Sequence, residues 1–145
     1  MLKLSKKSDY GLIAVKHLAT RGIDEAQSAA DIAEIYGISA TLLAKVLQKL
    51  ARGGLVTAHH GSAGGYRLAK NPSEISALDV ISAVDGPVFI TSCTTHRGEC
   101  FQSPTCTVRE PLRRVNESIM HVLSTVTISK MTDEPEQPTL VALQG

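Results

Sequence analysis

Three cysteines lie close together in the second half of the chain, where six and five residues separate Cys93, Cys100 and Cys106. Polar and turn-forming residues fill the two gaps, so this segment can wrap around a metal centre while backbone amides donate hydrogen bonds to the sulfurs. Zinc sites favour cysteine pairs two to four residues apart, and the sequence contains no such pair. The wider spacing favours a larger cluster, although three unrelated thiols or one reactive thiol used as a sensor stay open.

A cluster held by three thiolates needs one further ligand. His96 and Glu99 are candidates within the cysteine segment, and Asp9 is a more distant candidate that could instead cap the first helix. Two other functions would also use the cysteines: a regulator without metal that senses thiol oxidation, and a small iron–sulfur electron carrier.

The residues before the cysteines predict a helix-turn-helix. A first helix over 10–20 is expected to begin at a cap formed by Asp9 or Ser8, and Ser28 caps a short second helix. Gly37 ends that helix and Ser39 caps a third one over 40–52, whose apolar residues share one face.

Two strand candidates over 55–59 and 66–69 then flank a glycine-rich tip and predict a β-hairpin. A further helix begins at Ser76. The expected fold class is mainly α, with a winged helix-turn-helix domain, a small hairpin wing and a long C-terminal helix.

This arrangement suits duplex DNA, because an α-helix fits the major groove and the first turn of the recognition helix usually meets the bases. The formal net charge is only +1, so any basic surface must be local. The side chains farther along the helix are better placed for phosphates, and the hairpin tip can approach the sugar–phosphate chain closely. The predicted DNA-binding residues are Ser28, Ser39, Thr41, Lys45, Lys49, Arg52, His59, His60 and Gly64.

A long helix is predicted over 107–126, with apolar residues at alternating steps of four and three. Such a heptad seam is typical of helices that pair with a second copy. The predicted dimerisation residues are Leu112, Val115, Ile119, Val122 and Val126. The expected organisation is a DNA-binding domain over 1–88, a cluster-binding loop over 89–107, a dimerisation helix over 108–131 and a flexible tail over 132–145.

Composition and motifs exclude several other classes of protein. The chain has 145 residues, of which 43% are hydrophobic, but no apolar run long enough to span a membrane and no export signal, so we expect a cytoplasmic protein. A P-loop, a nucleophile elbow and a paired-histidine motif are all missing from the sequence. We therefore expect a protein that is not an enzyme.

These residues resemble the IscR/NsrR family of bacterial regulators, the Rrf-two type, from about Met1 to Met131. The resemblance implies a homodimer with crossed long helices on a palindromic operator, and a 2Fe-2S or 4Fe-4S cluster whose presence or redox state changes DNA affinity. The segments that carry it are Ser8-Asp9-Tyr10-Gly11-Leu12, Ala30-Asp31-Ile32-Ala33, Gly37-Ile38-Ser39, Gly61-Ser62-Ala63-Gly64-Gly65-Tyr66-Arg67-Leu68-Ala69 and the three cysteines.

The stretches 86–93, 98–100, 106–111 and 129–131 look closest to the branch that represses the SUF iron–sulfur assembly operon, while nitric-oxide sensing stays an alternative. Arg109 stands where the IscR type has a histidine ligand, so that ligand is not carried over. Asp9 matches the aspartate that the NsrR type supplies from the partner subunit, which ranks it ahead of Glu99 and His96. Ala44 replaces a base-sensing glutamate, so a switch between two operator classes is not implied.

Overall fold

The computed structural model describes residues 3–62, 64–89 and 107–133, so the three cysteines, His96 and Glu99 lie outside the described residues. The described part is mainly helical with one two-stranded antiparallel hairpin, which confirms the predicted fold class. Its elements are α1 (Lys6–Arg21), α2 (Ala29–Tyr36), α3 (Ala40–Arg52), β1 (Val56–His59), β2 (Gly65–Leu68), a short 3-10 helix (Pro72–Glu74), α4 (Ala77–Asp85), α5 (Arg109–Thr125) and α6 (Ile128–Asp133).

Helix α1 begins one turn earlier than predicted. Its N-cap is Ser5, whose Oγ accepts a hydrogen bond from the Ser8 backbone N–H at 3.0 Å. The prediction that Asp9 or Ser8 caps this helix is wrong, because Ser8 is fully buried within the first turn and its hydroxyl donates to Asp85. Asp9 lies in the same turn, and its side chain is exposed.

The helix-turn-helix follows its local sequence signals closely. The Ser28 hydroxyl accepts from the Asp31 N–H at 3.0 Å and begins α2. Gly37 ends α2 with φ of 65°, a left-handed conformation that glycine adopts without a steric penalty. The Ser39 hydroxyl then accepts from the Leu42 N–H at 3.4 Å, and α3 covers the residues predicted for it.

The hydrophobic core lies where α1, α3 and α4 meet, with α2, the hairpin and α6 around it. Gly11 allows α1 to approach α4 closely, since a Cβ there would lie 3.1 Å from the Val84 methyl carbon Cγ2. Helix α3 buries one face in this core and leaves the other outside. Its buried residues are Leu43, Val46, Leu47 and Leu50.

The hairpin is joined to the helical body through β2. Val56 pairs with Leu68 and His59 with Gly65, so β1 covers one edge of β2. The other edge pairs with the loop before α2, where the Gln27 N–H donates to the Tyr66 carbonyl at 3.0 Å and the Tyr66 N–H donates to the Gln27 carbonyl at 2.7 Å. Backbone hydrogen bonds on both edges fix the hairpin relative to the helix-turn-helix.

The C-terminal helical region is broken in two rather than continuous over 108–131. After α5 the Val126 carbonyl accepts from the Ala77 N–H at 2.8 Å, and the Ile128 N–H donates to the Ile75 carbonyl at 2.8 Å. This pairing takes the backbone out of the helix before α6 begins. Val126 is therefore the C-cap of α5. The predicted flexible tail begins inside α6, and its residues from 134 onward lie outside the described residues.

Candidate nucleic-acid interface and metal centre

The outward face of α3 carries the side chains predicted to read DNA. Ser39, Thr41 and Lys45 are all exposed, and Thr41 and Lys45 lie one turn apart on the same side of the helix. Because the opposite face is buried in the core, α3 can present only this side to another molecule. The backbone N–H groups in the first turn of α3 have no acceptor within the helix. They lie at the end that carries Ser39 and Thr41, where a helix stabilises an anion.

Lys49 and Arg52 lie farther along α3 and differ in their exposure and in their contacts. Lys49 is half-buried, and its Nζ donates to the carbonyl oxygen of Val84 at 3.1 Å. It thereby satisfies a carbonyl at the C-terminal end of α4, where helices favour a cation. Arg52 is exposed in the last turn of α3, about 10 Å along the axis from Lys45. The structure therefore gives Lys49 a structural contact and leaves Arg52 available for phosphate.

The hairpin tip places His59, His60 and Gly64 at the surface. His59 ends β1, and its Nε2 lies 3.1 Å from the Thr57 hydroxyl oxygen, which orients the imidazole. A Cβ on Gly64 would lie 2.6 Å from the His59 carbonyl oxygen and 2.8 Å from that of Gly61, so only glycine fits this tip. The Gly64 N–H closes the turn by donating to the Gly61 carbonyl at 3.0 Å.

Asp9 lies beside a hydrogen-bonded junction between two helix ends. The hydroxyls of Ser5 and Ser8 both donate to one carboxylate oxygen of Asp85, at 2.5 Å each. Asp85 is the last residue of α4, and the cysteine segment follows it in the sequence. Asp9 itself is exposed, and its carboxylate has no hydrogen-bond partner among the described residues.

The described residues by themselves contain no group of three histidine, cysteine or acidic side chains that could hold a metal ion. Asp9 could therefore contribute to a metal centre only as one carboxylate that joins ligands from outside the described residues. Asp9 fits such a centre because its carboxylate is exposed and because α1 uses Ser5, not Asp9, as its cap.

Helix α5 carries an apolar stripe that the described part of the chain leaves uncovered. Val108, Val115 and Val122 are 53%, 46% and 58% exposed and follow each other at steps of seven. An open groove of about 420 Å³ runs along this stripe. Its lining residues are Arg114, Val115, Ser118, Ile119, Val122 and Leu123. Leu112 and Ile119 are half-buried, as is Val126 beyond the helix end.

The polar side of α5 carries an ion-pair ladder in which Arg113 contacts both Glu110 and Glu117. The hydrogen bond from the Arg113 guanidinium lowers the pKa of Glu110. All three side chains are solvent-exposed, so the ladder supports the helix only weakly.

Arg67 was not predicted as a site residue, although β2 places it at the surface of the hairpin. Tyr66 and Leu68 pack toward the core, so Arg67 lies on the opposite, outer face of the strand beside Thr57 of β1. Strict alternation along the strand could have identified its position, because Tyr66 and Leu68 are apolar and Arg67 between them is charged.

A helix-turn-helix followed by a glycine-tipped hairpin defines a winged-helix protein. The chain belongs to the Rrf2 family, whose model, described as an iron-dependent transcriptional regulator, matches residues 4–134. Members of this family are DNA-binding transcription regulators, and the expectation that the chain is not an enzyme is confirmed.

Solved structures show the same fold over nearly the whole chain. CymR, the global cysteine regulator of B. subtilis, is 28% identical with a TM-score of 0.75, and the match covers 94% of this chain and 100% of that one. IscR of T. potens is 27% identical with a TM-score of 0.73, covering 98% and 96%. The oxidised form of Staphylococcus aureus CymR is 25% identical with a TM-score of 0.71, covering 94% and 100%.

Among the described residues, no helix combines the length and the hydrophobicity that crossing a lipid bilayer requires.

Proposed function

We propose that this protein is a cytoplasmic, homodimeric repressor that binds a palindromic operator and responds to an iron–sulfur cluster, controlling genes for iron–sulfur cluster assembly of the SUF type. The observation that carries the DNA-binding part of the proposal is the exposed face of α3, which is capped by Ser39 and lies in the same helix-turn-helix to which backbone hydrogen bonds attach the hairpin with its glycine tip.

DNA recognition follows from that geometry. The Thr41 hydroxyl and the Lys45 ammonium would meet base edges in the major groove, while the N-terminal end of α3 and Ser28 at the start of α2 would face phosphates. Gly64 allows the tight turn at the hairpin tip, and this turn holds the exposed His60 where it can approach the neighbouring minor groove. Arg52 would add a phosphate contact beyond the bases.

The uncovered stripe on α5 supports the homodimer. Valine side chains at steps of seven are the pattern with which a helix packs against a second helix, and Val115 and Val122 also line the open groove. A second copy of the same helix would bury Leu112, Val115, Ile119 and Val122. Two-fold pairing would also set the distance between the two α3 helices, which must match about one turn of DNA, ~34 Å.

The proposed ligands of the cluster are Cys93, Cys100 and Cys106, with Asp9 as the fourth and Glu99 and His96 ranked behind it. When bound, the cluster supplies a redox-active centre that oxidants or iron shortage can remove. Asp9 suits the role because it is exposed and α1 uses Ser5 as its cap. A carboxylate supplied by the partner subunit would link the metal centre to the winged helix that carries α3.

A metal-free sensor of thiol oxidation is the second candidate function. Its support is the comparable likeness to CymR, whose solved forms include an oxidised one. The two candidates share the DNA-binding surface and differ in whether the cysteines hold iron.

Anaerobic purification followed by visible spectroscopy and iron and sulfide analysis separates these candidates. We expect a brown protein, and we expect Cys93→Ala, Cys100→Ala and Cys106→Ala to lose the visible absorption while Ser103→Ala, a control in the same segment, keeps it. Selection of genomic DNA fragments with the same preparation should recover palindromic sites. A colourless preparation that still selects such sites would instead support the thiol sensor.

A further inference from the structure

The outer face of the hairpin carries one cationic side chain, Arg67, that is not among the DNA-binding residues proposed above. Arg67 lies on this face with Thr57 directly across and His59 two pairs nearer the tip. The position opposite His59 is Gly65, which has no side chain. A long side chain at position 67 can therefore extend along the strand toward the tip without meeting another side chain on β2.

The guanidinium of Arg67 has no anionic partner in the described part of the chain, where the ion pairs lie on α5. Its Nε is shielded from solvent and has no hydrogen-bond acceptor. Leaving a donor of a charged group buried without a partner costs free energy, and folded proteins rarely retain such groups without a reason. The two terminal nitrogens of the guanidinium are not buried in this way, so they are the atoms that an acceptor from outside the chain can reach.

The chemistry of the side chain indicates which acceptor fits. A guanidinium presents planar, paired donors that match the oxygens of a phosphate. Arg67 is two residues from the level of His59 on the same face, a distance of about 7 Å along a strand. A duplex touched by the wing tip would place its sugar–phosphate chain within reach of a side chain at that distance, whereas a carboxylate would have to come from a protein partner.

We propose that Arg67 is a phosphate anchor that fixes the wing on the DNA backbone without reading base identity. The inference rests on the proposed DNA-binding function and adds a residue that positions the wing. Because the contact is to phosphate, it contributes equally on operator and unrelated sequences.

The test measures how the dissociation constant depends on salt, using fluorescence anisotropy on a labelled random-sequence duplex of about 30 base pairs, which spans two half-sites one turn apart. Between about 50 and about 200 mM KCl, we expect Arg67→Gln to reduce the slope of log K against log [KCl] by about 0.9 per protomer, or about 1.8 for a dimer. Lys130→Gln on α6, which packs against α1 and the 3-10 helix, is the charge-matched control and should leave the slope unchanged.

Thermal unfolding separates a phosphate anchor from a structural arginine. Arg67→Met keeps an apolar side chain of similar length and removes the unpartnered buried Nε, so the unfolding temperature should stay the same or rise while DNA affinity falls. Arg67→Lys keeps the charge, so its salt slope should stay close to that of the wild type even though the affinity decreases.

Three results would overturn the assignment: an unchanged salt slope in Arg67→Gln, a lower unfolding temperature in Arg67→Met, or conversion of either variant to a monomer, which would indicate a protein partner. If the wild-type protein fails to bind any duplex, the proposed function itself is wrong. Normal wild-type binding with an unchanged Arg67→Gln slope rejects only the phosphate anchor.

Discussion

The junction between α1 and α4 predicts a stability effect that local sequence does not suggest. Asp85 ends α4, where a carboxylate is unfavourable in the helix dipole, but it lies against the N-terminal turn of α1, where a carboxylate is favourable. It accepts hydrogen bonds from the Ser5 and Ser8 hydroxyls. Asp85→Ala would leave the fully buried Ser8 hydroxyl without its acceptor.

The expected loss can be estimated from these two bonds. A hydrogen bond to a charged group contributes about 1.5–3 kcal/mol, and the lower end applies to Ser5 because that bond is exposed. Relief of the unfavourable dipole term in α4 offsets part of the loss, so we expect Asp85→Ala to reduce the free energy of unfolding by about 2 kcal/mol. For a chain of this size that corresponds to a fall in unfolding temperature of about 4–8 °C.

A double-mutant cycle with Ser8→Ala measures the interaction directly, by urea unfolding followed by circular dichroism. We expect a coupling free energy of about 1 kcal/mol between Asp85 and Ser8. Asp24→Ala, which removes an exposed carboxylate from a loop, is the matched control and should change stability by less than about 0.5 kcal/mol. Equal effects of Asp85→Ala and Asp24→Ala, or additive effects in the cycle, would refute the reasoning.

Three further predictions concern the interface residues. Gly64→Ala brings its Cβ against two carbonyl oxygens and should weaken DNA binding about tenfold, a cost of ~1.4 kcal/mol, with a small change in unfolding temperature by differential scanning fluorimetry. Combined Val115→Glu and Val122→Glu should convert the dimer to a monomer in analytical ultracentrifugation, because the stripe would then carry four like charges across the seam. Lys49→Met should lower stability by about 1 kcal/mol without changing the DNA salt slope, whereas Lys45→Met should lower DNA affinity without changing stability.

Each of these has a contradicting outcome. Binding by Gly64→Ala within twofold of the wild type would show that the tip does not contact DNA. A dimer that survives the double glutamate substitution would place the subunit interface elsewhere. A reduced salt slope in Lys49→Met would show that this ammonium leaves the Val84 carbonyl to meet phosphate.

The elements that short-range signals define were predicted well. Gly37 and Ser39 fix the turn and the start of α3 through hydrogen bonds within a few residues, and the predicted bounds of α3 match the observed ones. The predicted start of α1 was wrong because Ser5, three residues before Ser8, is the cap, while the Ser8 hydroxyl instead donates to Asp85, 77 residues away in sequence. No local pattern reports such a contact.

Long-range pairing also explains the broken C-terminal helix and the contact that Lys49 makes with α4, neither of which local sequence predicts. Val126 leaves the helix because its carbonyl pairs with Ala77, and Lys49 turns to the end of α4 because an unpaired carbonyl lies there. Arg67 could have been found by alternation along β2, but its lack of a partner is visible only in the folded chain. The cysteine ligands come from spacing and resemblance and stay predictions, since they lie outside the described residues.

The most direct test of the central claim compares the operator affinity of the anaerobically purified protein before and after removal of its iron. We predict a difference of about 100-fold, equivalent to ~2.7 kcal/mol, that disappears in Cys100→Ala. Equal affinity with and without iron in a protein that binds its operator would contradict the account.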